Sequence, residues 1–112
     1  MTDACIFCRI VAGTIPAQTV AADDRFLAFR DIEPVAPTHV LVIPRTHVAS
    51  LDAASDEQLA GLLAFVRQVA RETGVAESGY RTVINTHRDG GQAVDHLHAH
   101  ILGARRMTWP PG

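Results

Sequence analysis

Three of the six histidines in this chain fall within five residues, His96-Leu97-His98-Ala99-His100. In an extended segment side chains alternate between faces, so residues two apart share a face at a spacing of about 6.7 Å. Read as a strand running to Leu102, the segment lines one face with imidazoles and turns Leu97, Ala99 and Ile101 toward a core. A single histidine there would be an ordinary polar residue on a solvated face. Three in strict alternation, opposite an apolar face, ask for chemistry. Near neutral pH imidazole offers two kinds: metal ligation through a bare ring nitrogen, and nucleophilic or acid–base work. Three nitrogens one pleat repeat apart reach a single ion only under strain, so one end of the row is expected to take a metal while another member does chemistry. The competing arrangement is a metalloenzyme in which His96, His98 and His100 hold one catalytic ion together.

Two other groups bear on the choice. Asp89-Gly90-Gly91-Gln92 precedes the row. Consecutive glycines let backbone N–H groups converge on an anion, although the same dipeptide also makes plain hairpin loops. Its position just ahead of the histidines favours a phosphoryl group as the centre attacked. Cys5 and Cys8, the only cysteines, form Cys-x-x-Cys. A thioredoxin-like redox pair follows a strand and opens a helix, whereas only four residues precede Cys5 here. Half of a Cys₂His₂ zinc set is the better functional reading; two cysteines buried in an N-terminal turn is the plain one.

The elements that must position these groups are legible from periodicity. Cys5 to Ala12 reads as one or two helical turns closed by Gly13, and Ile15-Pro16 forces an extended path. Strand signals follow at Thr19–Ala22, at Phe26–Ile32 and, most strongly, at His39–Ile43 between Pro37 and Pro44. Ser55 and Gln58 form a capping box that opens one long helix, and Gly74 closes it. Leu59, Leu62, Leu63, Val66, Val69 and Ala70 supply its apolar stripe. Tyr80–Asn85 is a strand, His87–Gly91 a turn-rich loop, and His96–Leu102 the last strand, the two strands forming a hairpin or meander. Strands outnumber helices without βαβ alternation, which predicts an α+β domain with an antiparallel sheet.

Composition narrows the classes further. A length of 112 residues fits one domain of the usual ~100–150. Ten basic against twelve acidic residues give a net charge of −2, which leaves no basic field for nonspecific nucleic-acid binding. The apolar run Leu62–Val66 is far too short for a membrane span. Met1-Thr-Asp-Ala lacks the marks of a signal peptide. A cytoplasmic protein that binds neither nucleic acid nor membrane is expected.

With these residues in view, the chain resembles the histidine triad (HIT) superfamily. Its signature, three histidines alternating with apolar residues and followed by two more, is met from His96 to Leu102. The likeness covers nearly the whole chain. It includes Cys5-Ile-Phe-Cys-Arg-Ile10, Phe26-Leu-Ala-Phe-Arg-Asp-Ile32, Ala36-Pro-Thr-His-Val-Leu-Val-Ile-Pro44 and Asp89-Gly-Gly-Gln92. The ending Trp109-Pro-Pro-Gly112 is similar to the branch of histidine triad nucleotide-binding proteins, which act as purine nucleoside phosphoramidases.

The resemblance implies a single HIT domain over residues 1–112. Its fold is a five-stranded antiparallel sheet with one long and one short N-terminal helix, and two copies join in a homodimer with a ten-stranded sheet. It implies a hydrolase of nucleotide P–N bonds acting through a covalent nucleotidyl-histidine and releasing a nucleoside monophosphate such as AMP or GMP, with no catalytic metal. Hydrolysis of dinucleoside polyphosphates, or nucleotide binding with little turnover, are its alternatives.

By the same resemblance His98 is the nucleophile, supported by His100 and His39, and Asp31 holds the ribose hydroxyls. Ile6, Phe7, Ile10, Phe29 and Ile32 sandwich the purine. Asn85, Gly91, Ala93 and Val94 match the phosphate-contacting positions, and Trp109 joins the nucleotide site. Cys5, Cys8, His47 and His96 correspond to the ligands of a structural zinc. The chain departs from close relatives at Ala93, where serine is frequent, at His87, where glycine is common, and at Asp95, which replaces an aromatic residue.

Overall fold

The computed structural model describes residues 4–112, so the reading of the N-terminus as no signal peptide falls, at Met1 to Asp3, outside the described residues. Helix α1 (Ile6–Ala12) is capped by the Cys5 sulfur, which accepts from the Cys8 N–H, and ends at Gly13 in the left-handed region (φ 80°). Strands β1 (Thr19–Ala22), β2 (Phe26–Arg30) and β3 (Thr38–Pro44) follow, then helix α2 (Asp56–Glu72), strand β4 (Tyr80–Val83), the helical turn α3 (His87–Gly90) and strand β5 (Ala99–Gly103). The five strands form one sheet in the order β1-β2-β3-β5-β4, and every neighbouring pair is antiparallel. This is the α+β architecture expected. Among the described residues no helix is long and apolar enough to cross a membrane.

The sheet is covered on both faces, which is why β2 and β3 read as nearly continuous apolar runs. Phe26, Ala28, Val40, Val42, Ala99 and Ile101 pack against Leu62, Phe65, Val66, Val69 and Ala70 of α2. On the other face Leu27, Phe29, Leu41 and Ile43 pack with Phe7 of α1. The site lies on this second, thinner side.

Helix α2 starts as expected. The Ser55 hydroxyl accepts from the Gln58 N–H at 3.1 Å, and the Gln58 side chain accepts from the Ser55 N–H at 2.8 Å. Its stripe differs from the expected one at two places. Phe65 is buried within it, while Leu63 is 52% exposed. One helical step turns about 100°, so a stripe along Leu62, Phe65, Val66, Val69 and Ala70 leaves Leu63 on the flank.

Three strand ends also differ by two residues or more. The β2 strand stops at Arg30 rather than Ile32, because the Asp31 carboxylate accepts from the Glu33 N–H at 2.8 Å and turns the chain. The β4 strand stops at Val83 rather than Asn85, and β4 and β5 are joined through α3 rather than a bare loop. The largest difference is at β5, which begins at Ala99 rather than His96. The ladder with β3 runs to the pair Val42–Ala99; continued in register it would set Ile43 opposite His98 and Pro44, which has no N–H to give, opposite Leu97. Leu97 bonds instead to the chain after β3, its N–H donating to the Val48 carbonyl at 2.7 Å. Leu97, Ala99 and Ile101 nonetheless face the core as expected.

Candidate functional site

Sheet register explains which side chains meet. Phe29 stands opposite Leu41, and Leu41 opposite His100, so these three form a row on the α1 side. The Asp31 N–H donates to the His39 carbonyl at 3.0 Å, which brings their side chains together two residues further along the same face. The result is a cavity of about 310 Å³ whose apolar walls include Ile6, Phe7, Ile10, Phe29, Ile32 and Leu41, with Arg30, Asp31, Glu33, Ala93, Val94, His98 and His100 also in its lining. Phe7 meets both Phe29 and the His98 ring edge-on, at 5.5 and 5.1 Å between centroids.

Hydrogen-bond partners dictate where each ring proton sits. His98 Nδ1 lies 2.7 Å from the His96 carbonyl. A carbonyl only accepts, so Nδ1 carries the proton and Nε2 keeps a bare lone pair. The Val35 N–H donates to His39 Nδ1 at 3.1 Å, so His39 carries its proton on Nε2. That Nε2–H has two acceptors, His100 Nδ1 at 2.9 Å and the Asp31 carboxylate at 3.3 Å. His100 Nδ1 is thereby an acceptor, and its proton sits on Nε2.

For His39 and His100 these assignments require neutral rings, and burial supplies them. Burial lowers the pKa of His39 below its ordinary value despite the opposing pull of Asp31. Burial, then the neighbouring His98 and His39, lowers His100 to about 4. At neutral pH both are uncharged.

Beside this relay lies a second constellation. Cys5 Sγ is 3.3 Å from His96 Nδ1, Cys8 Sγ is 3.2 Å from His47 Nδ1 and 3.5 Å from His96 Nδ1. All four ligand atoms lie within 4.8 Å of one another. Tetrahedral zinc with ordinary Zn–S and Zn–N bonds needs ligand separations of about 3.3–3.8 Å, so this donor set fits the ion. The chemistry fits too. His96 Nε2 donates to the Pro44 carbonyl at 2.8 Å, which leaves Nδ1 bare toward the sulfurs and supplies the outer-shell bond that orients a ligating imidazole. Without a cation, burial and then the neighbouring Cys5 push the Cys8 thiol up to about 11; a metal reverses that by binding thiolate directly.

The structure therefore brings together Asp31, His39, His98 and His100 at one place, and Cys5, Cys8, His47 and His96 at another. Asn85, Gly91 and Trp109 do not line the cavity, and Trp109 is 81% exposed. Asp95 lines a neighbouring hollow of about 450 Å³ with Cys5, His47 and Ala93. His87 adopts φ 60°, the left-handed region, which is a physical reason for glycine to be common there. Two contributors escaped sequence reasoning. The Gln92 side chain accepts from the His87 N–H and donates to the Ala49 and Val94 carbonyls, holding the segment that carries Ala93 and Val94; an amide at the end of a glycine turn was its only signal. The Val35 N–H is a backbone group and has no sequence signal at all.

Comparison with known proteins follows the same lines. The HIT domain family matches residues 12–107. A 14 kDa zinc-binding protein of Zea mays is 46% identical over 112 residues, covering 96% of this chain and 87% of that protein. The crystal structure of a HIT family hydrolase from Legionella pneumophila superposes with a TM-score of 0.92 at 50% identity, covering 96% of this chain and 99% of the other. A histidine triad nucleotide-binding protein from Candida albicans superposes with a TM-score of 0.84 at 32% identity, covering 96% of this chain and 83% of the other.

Proposed function

The chain belongs to the HIT domain family, and from that premise we propose that it is a cytoplasmic hydrolase of purine nucleoside phosphoramidates, acting as one HIT domain within a homodimer. The observation that carries this reading is the bare Nε2 of His98 at the polar end of an apolar cavity, its other nitrogen tied to the His96 carbonyl. The apolar walls suit a purine face, and the Asp31 carboxylate can accept from a ribose diol.

In the proposed reaction His98 Nε2 attacks the α-phosphorus. The phosphorus–nitrogen bond to the leaving amine breaks, and the amine departs with the bonding pair and a proton from solvent. The resulting nucleotidyl-imidazole is cationic while Nδ1 keeps its proton, and the His96 carbonyl at 2.7 Å stabilises that charge. His100 Nε2–H, held in place by His39, donates to a phosphoryl oxygen as negative charge builds there. Backbone N–H groups at Ala93 and Val94, and by family likeness Asn85 and Gly91, serve the other oxygens. Water then cleaves the bond to His98, releasing the nucleoside monophosphate and restoring the neutral ring.

Zinc held by Cys5, Cys8, His47 and His96 would tie the N-terminal turn to the sheet beneath the purine slot. The exposed Trp109 supports a second copy as its cover. Steady-state kinetics on a fluorogenic adenosine phosphoramidate test the reading: turnover that vanishes in His98→Ala, with AMP binding retained, is expected. Tight AMP binding with negligible wild-type turnover would favour a nucleotide-binding module instead, a reading to which the missing hydroxyl at Ala93 lends some weight.

A further inference from the structure

We propose that Arg105 is a positioning residue for the histidine relay, gripping the Val35 carbonyl so that the N–H of the same residue, one peptide plane back, selects which ring nitrogen of His39, and through it of His100, carries the proton. The inference rests on the reading of His100 as a phosphoryl donor. Arg105 lies two residues beyond β5 and does not line the cavity. Its Nε–H donates to the Val35 carbonyl at 3.0 Å, and Nη1 donates to the Arg106 carbonyl at 3.2 Å. The guanidinium is thus braced on its own loop while it grips the loop between β2 and β3. Burial does not hold Val35, whose side chain is 60% exposed. What fixes the residue is a hydrogen bond at each end: Arg105 on its carbonyl, and His39 Nδ1 accepting from its N–H at 3.1 Å.

The consequence follows from counting protons. Neutral imidazole has one N–H and one lone pair. With the Val35 N–H pointed at Nδ1, the lone pair must be there and the proton on Nε2, facing His100 Nδ1 at 2.9 Å. If Val35 turns away, His39 Nδ1 loses the donor that keeps its lone pair there, the Asp31 carboxylate at 3.3 Å is the one protein group still favouring the proton on Nε2, and the Nδ1–H tautomer becomes accessible. Two lone pairs would then oppose each other at 2.9 Å, and His100 would have to move its own proton to Nδ1. The Nε2–H aimed at the phosphoryl group would be lost. A residue remote from the cavity therefore sets the donor state of a residue inside it.

Ring-nitrogen NMR on ¹⁵N-histidine-labelled protein reads this directly, without substrate. Wild type is expected to show His39 and His100 protonated on Nε2. Arg105→Ala is expected to mix the tautomers at His39 and lower kcat about tenfold with KM changed less than about twofold. Arg105→Lys, which can still donate to the carbonyl, restores most of the rate. Val35→Pro deletes the donor while Arg105 stays, and reproduces the tautomer change even if Arg105→Ala fails to fold. Wild-type tautomers and kcat in folded Arg105→Ala overturn the proposal, as does lowered thermal stability with both unchanged. Absence of turnover in the wild-type protein would instead overturn the reading of function, while the spectra still decide the role of Arg105.

Discussion

Two imidazoles two residues apart, His96 and His98, show opposite faces of the same chemistry. His96 gives its Nε2 proton to the Pro44 carbonyl and turns a bare Nδ1 to the sulfurs of Cys5 and Cys8. His98 gives its Nδ1 proton to the His96 carbonyl and leaves a bare Nε2 at the cavity. Both rings are buried and they sit on one stretch of backbone. The difference lies in which backbone carbonyl each ring finds, and that single contact decides whether the bare nitrogen faces the two thiols or the cavity.

The largest effect expected from breaking this pair is at His98. Replacing it with alanine should cost at least about 10³-fold in phosphoramidase kcat while AMP binding, measured by calorimetry, stays near wild type. The same treatment of the other member should act on stability. Cys8→Ser should abolish stoichiometric zinc by elemental analysis and lower the thermal midpoint by several degrees, because a bound ion stabilises only the folded chain. The protein that remains folded should keep turnover within about tenfold. Loss of turnover in step with zinc, in protein that stays folded, would mean the two sites are one.

Smaller effects sharpen the contrast. His100 has a folded pKa near 4 against an unfolded 6.5, so between those values the unfolded chain binds more protons and stability rises with pH. Stability from this ring is complete above about 6.5 and is lost as pH falls toward 4. Unfolding free energies from urea titrations should fall across that window by about 1–2 kcal/mol, discounted for partial exposure, and less steeply in His100→Asn. An equal slope in the variant would remove His100 as the cause. The smallest change is expected at His87, whose left-handed backbone costs a side chain more than it costs glycine. His87→Gly should raise stability by up to about 1 kcal/mol in the same measurement, with kcat unchanged.

How much of this was legible in the sequence follows from the same contacts. The alternation at His96–Leu102, the capping box at Ser55 and the β-branched run of β3 are local signals, and each is found where it was expected. The separation of the histidine row into an end beside the two cysteines and an end at the cavity was also legible, since three nitrogens on a pleat reach one ion only under strain. What could not be read was set by nonlocal backbone. Pro44 ends the ladder across from Leu97 only because the β3–β5 register puts it there. The tautomers of His39 and His98 depend on the Val35 N–H and the His96 carbonyl, groups that every sequence possesses. Leu63 carried the right residue type at the edge of the right stripe and lies outside it.

The central claim is that His98 Nε2 becomes covalently nucleotidylated. Phosphorus bonded to imidazole nitrogen is labile in acid and survives base, so wild-type protein mixed with an adenosine phosphoramidate should be quenched in alkali within the first turnover and mapped by mass spectrometry. One adenylyl group on His98, absent from His98→Ala, is the predicted result. Rapid turnover with no adduct on any histidine, or an adduct confined to His96 or His100, would contradict it.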